Sequence, residues 1–276
     1  MDIREESRKI YEKSVLLSEA MGVCTTLLKH SDEANFSKEY LKNRIPELAY
    51  KDFTFGYYPP NSQKHLLLQY INEQTLLDAG LIYKKKVYYD ISPREESFAL
   101  LDKHNLVMPF KNLNGDIISI VGRSLLSKED QDRQGISKYK NTNFQKSLNL
   151  FGLYQAKKNI LDKNFVVIVE GQFDCITCHR LGIDNCVALG GVSFSKYQLY
   201  LLLRYTNNLV LALDNDNPGR QATQKIIDRF GKNANIHEIT IPECYKDIDE
   251  WLEKAGSEDF IKLCGANGQN RQVKKS

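Results

Sequence analysis

No stretch of this 276-residue chain is apolar for long enough to cross a membrane, which takes about 20 consecutive residues. The N-terminal region carries Asp2, Glu5, Glu6, Glu12 and Glu19 and no apolar core, so no signal peptide is expected and the default location is the cytoplasm. Cysteine is sparse: six residues, with Cys175-Ile-Thr-Cys178 as the one close pair and no second C-x-x-C. That excludes a complete zinc ribbon and shows no disulfide framework. His179 follows the pair and gives it the look of a haem-attachment motif, but that chemistry needs export. On an expected helix behind a strand, small buried residues are the simpler reading. The net charge is only +3, so no global excess marks a polyanion partner. With 42% hydrophobic and 26% charged residues, the composition is that of an ordinary globular protein, long enough for one large domain or two smaller ones.

What the chain does contain is a series of apolar runs that end in acids. Phe165-Val-Val-Ile-Val169 leads into Glu170-Gly-Gln-Phe-Asp174; Leu209-Val-Leu-Ala-Leu213 leads into Asp214-Asn-Asp216; Asp247-Ile-Asp249 follows a last apolar run. Short apolar runs without polar alternation suit strands buried on both faces of a parallel sheet. Functional groups gather at the carboxyl ends of such strands. Strands are expected near 165–169, 186–189, 208–213 and 235–240, with helices near 173–181, 195–205 and 218–230. Glu170 and Asp174 then share a strand-end rim. The acids two apart, Asp214/Asp216 and Asp247/Asp249, point the same way if their segments are extended. Two such charges about 4 Å apart repel by roughly 4 kcal/mol at a surface-like dielectric. The set must therefore take up protons or bind cations, and all-oxygen ligands favour Mg2+ or Mn2+. One or two such metals serve polymerisation and nuclease chemistry alike.

Charge is distributed unevenly. Between Arg123 and Lys163 there are nine basic and four acidic residues, a local +5 ahead of the acidic region. Arg123, Lys138, Lys140 and Lys146, interleaved with Tyr139 and Phe144, are suited to tracking a nucleic-acid backbone. Earlier still, helical spacing predicts helices over Ile3–Met21, over Ser37–Arg44 with Ser37 as N-cap and Pro46 as a stop, and over Ser62–Ala79 ending at Gly80. Phe53–Pro60 reads as a short strand and turn. Lys84-Lys85-Lys86 reads as a hairpin turn or an exposed basic strand edge. Leu106–Phe110 and Ile117–Val121 read as a hairpin about Asn112–Gly115. Ser127–Asn143 reads as a mobile loop, and a helix is expected from Phe151 to Leu161.

The strand-end glutamate Val169-Glu170-Gly171 with Asp174, and the later Asp214-Asn-Asp216 with Gly219, resemble the TOPRIM signature of bacterial-type primases, topoisomerases and some nucleases. Lys246-Asp247-Ile-Asp249-Glu250 resembles the K-D-x-D-E segment of DnaG-type primases. Val121-Gly122-Arg123, Lys138-Tyr139-Lys140-Asn141, Phe144-Gln-Lys146 and Leu150–Tyr154 resemble that family's basic template-binding segment. Glu39–Arg44, Phe53–Tyr57 and Leu77–Leu81 resemble its N-terminal subdomain. Lys103-His104-Asn105 stands where a more arginine-rich run belongs.

The resemblance implies an α/β protein with an α+β, basic template-binding subdomain at 1–160 and a TOPRIM parallel-sheet domain at 161–264 with a short helical extension; the polar composition of 265–276 reads as a disordered tail. The resemblance also implies a metal-dependent DNA-directed RNA polymerase core that makes short RNA primers on single-stranded DNA from nucleoside triphosphates. Glu170, Asp214 and Asp216 would be catalytic. All six acids, Asp174, Asp247 and Asp249 included, would hold Mg2+ or Mn2+, and Arg123, Lys138, Lys140 and Lys146 would hold DNA. The family's zinc ribbon and helicase-binding domain find no counterpart here, so a separate zinc-ribbon protein and a replicative helicase are the expected partners. A TOPRIM nuclease and a non-catalytic nucleic-acid-binding subunit are the alternatives.

Overall fold

The computed structural model describes residues 3–45, 52–89, 92–191 and 193–269. Backbone contacts divide the chain into two compact units, at Phe144/Gln145.

The first unit opens with helix α1 (Ile3–His30), which carries the expected first helix well past Met21. Its inner face buries Leu17, Met21, Cys24 and Leu27. Helix α2 (Asn35–Arg44) starts two residues before Ser37, and Ser37 is buried inside it rather than capping it. The helix stops at Arg44; Pro46 lies outside the described residues. Strand β1 (Gly56–Tyr57) follows where a short strand is expected.

The single helix expected over Ser62–Ala79 is instead broken into α3 (His65–Leu68) and α4 (Glu73–Asp78). Asn72 causes the break: its side chain accepts the Thr75 N–H at 2.9 Å and starts a new helix. The tri-lysine lies inside a strand. Strand β2 (Ile82–Tyr89) pairs antiparallel with β3 (Ser92–Ala99) as a two-stranded ribbon. The hairpin forms as expected from β4 (Leu106–Lys111) and β5 (Ile117–Arg123), with Gly115 at φ 95° in the turn.

The segment 127–143, read as a mobile loop, is ordered. Ser127 caps α5 (Lys128–Gln134) and Gly135 ends it at φ 64°; strand β6 (Tyr139–Asn141) then pairs with β5. The S-x-x-D cap and the glycine stop were both legible signals. The sheet order is β1-β4-β5-β6.

The second unit follows the expected strand–helix alternation. Helix α6 (Leu153–Lys163) leads to β7 (Val166–Val169), α7 (Gln172–Arg180), β8 (Cys186–Ala188), α8 (Lys196–Leu203), β9 (Asn208–Leu211), α9 (Asn217–Phe230) and β10 (Asn235–Glu238). The four strands form one parallel sheet in the order β10-β9-β7-β8. Val166, Val167, Ile168, Val169, Leu209, Val210 and Leu211 are all at 0% exposure, which explains their unbroken apolar runs. Right-handed crossovers in this order place α8 and α9 on one face of the sheet and α7 on the other.

The chain closes with α10 (Ile248–Ala255) and α11 (Glu258–Gln269). Helix α11 takes in the start of the segment read as a disordered tail; residues 270–276 lie outside the described residues. Among the described residues no helix is long and apolar enough to cross a membrane.

The start of α9 presses directly on the turn that follows β9. A Cβ at Gly219 would fall 2.1 Å from the Asp214 carbonyl oxygen, a backbone atom with nowhere to go. Gly219→Ala is therefore expected to destabilise the protein by about 1–3 kcal/mol, read as a lowered Tm in a thermal melt. An unchanged Tm would mean that α9 can slide away from that turn.

Candidate metal centre

Glu170 is the first residue beyond β7. Gly171 follows, and its N–H donates to Asp174 Oδ2 at 2.9 Å, which folds the Asp174 carboxylate back over the start of α7. Asp174 is 8% exposed. On the neighbouring strand, Asp214 lies three residues beyond the end of β9 and is half-buried. Asp216 is exposed and caps α9, accepting the Gly219 N–H at 2.8 Å. Asp247 caps α10 in the same manner, accepting the Glu250 N–H at 2.9 Å. Asp216 and Asp247 are helix caps with extended backbone, at φ -100° and -142°, whereas Asp249 lies one residue inside α10 and so departs from the extended geometry that its spacing suggests.

The acids nevertheless converge. Asp174, Asp247 and Asp249 each offer an oxygen, and these oxygens lie within 4.8 Å of one another. The Asp214 carboxyl is pushed up to about 7, first by burial and then by the charges of Asp174, Glu170, Asp247 and Asp216. The first observation gathers three of the six acids, and the second sets Glu170, Asp214 and Asp216 within electrostatic reach of them. An all-carboxylate set whose members repel each other is suited to a hard divalent cation.

One residue of the cluster was not foreseen. Thr177 Oγ1 donates to Asp249 Oδ1 at 2.5 Å, and Asp249 is 2% exposed. The partners are 72 residues apart on α7 and α10, and nothing local in the sequence signals such a pair.

The four basic residues fall in different places. Arg123 is 9% exposed; its guanidinium lies 5.3 Å from the Tyr40 ring centre and 5.2 Å from that of Tyr139, and it donates to the Tyr139 hydroxyl at 2.5 Å. Lys138 and Lys140 are exposed on and beside β6, with Lys138 Nζ 5.8 Å from the Tyr139 ring. Lys146 belongs to the second unit. It donates to the Gly190 carbonyl, burial lowers its ammonium below the usual range, and the charge of Glu170 opposes that shift. The C-x-x-C cysteines are buried on α7, as expected of core residues.

Comparison with known proteins places this geometry. Residues 167–252 match a family model described as Toprim-like, and residues 24–157 match one described as DNA primase catalytic core, N-terminal domain. A DNA primase of Aquifex aeolicus is 31% identical over 247 residues, which are 88% of this chain and 47% of that protein. The crystal structure of the zinc-binding and RNA polymerase domains of the Aquifex aeolicus primase aligns with a TM-score of 0.73 at 27% identity, covering 96% of this chain and 63% of that one. A DnaG primase catalytic domain bound to single-stranded DNA shares the fold, with a TM-score of 0.72 at 24% identity over 94% of this chain and 78% of that one. The second unit is therefore a Toprim-like α/β domain. The chain as a whole belongs to the family of DnaG-type primase catalytic cores. It spans about half the length of the curated relatives it matches. The Toprim match and the acidic cluster are consistent with binding of a divalent metal.

The raised Asp214 carboxyl makes stability depend on pH. In the unfolded chain this group ionises near its ordinary 3.8; in the folded protein it does so at about 7. Ionisation thus penalises the folded state increasingly from about pH 4 to pH 7. In chelator, Tm should fall over that window and level off above it, by the equivalent of about 2 kcal/mol once solvent access is allowed for. Asp214→Asn should flatten the profile. A wild-type Tm that rises from pH 5 to pH 8 would refute this electrostatic account.

Proposed function

We propose that this chain is the nucleotidyl-transferring core of a DNA primase, joining ribonucleotides into short primers on a single-stranded DNA template. The observation that carries the proposal is the charge that four neighbouring acids impose on Asp214. Together with the oxygens of Asp174, Asp247 and Asp249, it makes a cation-demanding site at the ends of parallel strands. Glu170, Asp174, Asp214, Asp216, Asp247 and Asp249 would hold Mg2+ or Mn2+. When bound, such cations polarise the reacting phosphoryl group and stabilise the attacking and leaving oxygens. Glu170 stands nearest the chemistry as ligand or proton acceptor, with Lys146 beside it as a cation for nucleotide phosphates.

On this reading the first unit, which ends at Phe144, supplies the template-binding surface. Lys138 and Lys140 follow the template phosphates, and Arg123 braces the tyrosine that lies between them. A structure of the same fold carries single-stranded DNA, in keeping with that assignment. The Aquifex structure pairs a zinc-binding domain with its RNA polymerase domain, in keeping with a zinc-ribbon module that works beside this core; a replicative helicase is the second partner of the proposal, and the cytoplasm its location.

The test is to incubate the chain with single-stranded DNA, Mg2+ or Mn2+, and labelled ribonucleoside triphosphates. Labelled oligoribonucleotides should form, and Glu170→Gln and Asp214→Asn should each reduce their yield by roughly 100-fold or more. Shortened DNA with no labelled product would instead identify a nuclease. A protein that restores replication in cells as well with Asp214→Asn as without it would be a binding subunit.

A further inference from the structure

Beside the acidic cluster, on the opposite face of the sheet from α7, lies a groove of the opposite charge. The turn after β8 passes through Gly190 and Gly191, at φ 69° and 155°, and enters α8. Ser195 and Gln198 close that helix start reciprocally, at 2.8 and 3.0 Å. The same two side chains tie down the segment after Lys146. Ser195 Oγ donates to the Ser147 carbonyl at 2.5 Å, and Gln198 Nε2 donates to that of Asn149 at 2.7 Å.

Against this frame lies a cavity of about 440 Å³ with Lys146 and Arg229 among its walls. A second cavity, of about 310 Å³, carries on along α9 with Arg229 and Lys225. The two share Ser193, Phe194 and Arg229 as walls and so adjoin each other along the same face. The groove floor is rigid, since Phe194 packs edge-on against Phe230 at 5.5 Å and Arg229 lies over the Phe230 ring at 5.0 Å. Three cations and no carboxylate line it.

We propose that this groove binds the phosphodiester backbone of a short single-stranded oligonucleotide that extends from the carboxylate site past Lys146. A lone phosphate needs one cation or a tight cluster, whereas Lys146, Arg229 and Lys225 follow one another along two adjoining cavities. The end at Lys146 borders Glu170, so a strand in the groove has one end at the metal centre. RNA and DNA share this chemistry, and the experiment separates them. The inference rests on the proposed function for the identity of the strand, but the binding is measured without metal and so fails or stands separately.

The full chain in chelator is titrated by fluorescence anisotropy with labelled single-stranded RNA and DNA oligonucleotides over a range of salt. The double variant Lys225→Ala/Arg229→Ala should bind roughly tenfold more weakly, with a salt slope shallower by about 1.4, as expected for two lost phosphate contacts on a single strand. Loss with RNA alone assigns the groove to a product strand, loss with DNA alone to the template, and loss with both to any strand. As a second measurement, bound oligonucleotide should protect Lys225 from acetylation relative to Lys232. Unchanged affinity and slope in a variant with wild-type Tm, or equal acetylation of the two lysines, would overturn the proposal. Loss of primer synthesis by the Asp214→Asn protein leaves this binding untouched, so the two readings can fail separately.

Discussion

Repulsion among carboxylates is the constraint to which the second unit is built. Burial first, and then the charge of four neighbouring acids, lets Asp214 hold its proton to about pH 7. A single pair of such charges opposes folding by roughly 4 kcal/mol at a surface-like dielectric. The opposing force is the sheet beneath. Seven residues of β7 and β9 are at 0% exposure, and each contributes roughly 1.5–3 kcal/mol on burial. Only a support of that kind can keep the acids together in the absence of a cation. A site on loops would relax by spreading them.

The way the acids are held is equally telling. Asp174 accepts from the Gly171 N–H, Asp216 from Gly219, Asp247 from Glu250, and Asp249 from the Thr177 hydroxyl. All four donors are neutral. Hydrogen bonds from neutral groups fix the direction of a carboxylate without cancelling its charge, whereas an arginine partner would spend the charge that a metal needs. Helix starts supply most of these donors, because the first N–H groups of a helix have no partner of their own. The strand–turn–helix junction therefore does two jobs: it orients the acid and leaves it anionic.

The sequence revealed the sheet clearly, because an apolar run buried on both faces has only one efficient fold when helices alternate with it. It revealed the acidic set as well, because strand ends are where such a fold exposes polar groups. It was less informative where side chains compete with local pattern. Ser62–Ala79 has helical spacing throughout, yet the Asn72 cap divides it. Ser127–Asn143 is polar enough to pass for a loop, yet a serine cap and an αL glycine bound a helix there. The extended geometry expected for Asp247/Asp249 stops at Asp247, because its cap starts α10 and puts Asp249 inside the helix. The Thr177–Asp249 pair belongs to another class: it joins residues 72 apart, and only the assembled fold creates it.

Helix α7 shows why the cysteine-rich segment matters to a site that makes no use of thiols. Cys175, Cys178 and His179 form an i, i+3, i+4 stripe along one side of the helix. Cys175 Sγ donates to the Cys186 carbonyl at 3.4 Å and His179 bonds the same oxygen at 2.8 Å, which locks that side against β8. A Cβ at Gly152 would stand 2.7 Å from Cys175 Sγ, so there is no slack for a larger residue. With this stripe fixed, the rotation of α7 is fixed, and Asp174 and Thr177 are turned together toward the acids. The motif that looks like a haem or zinc signature is thus the register pin of the helix that carries one acid and anchors another.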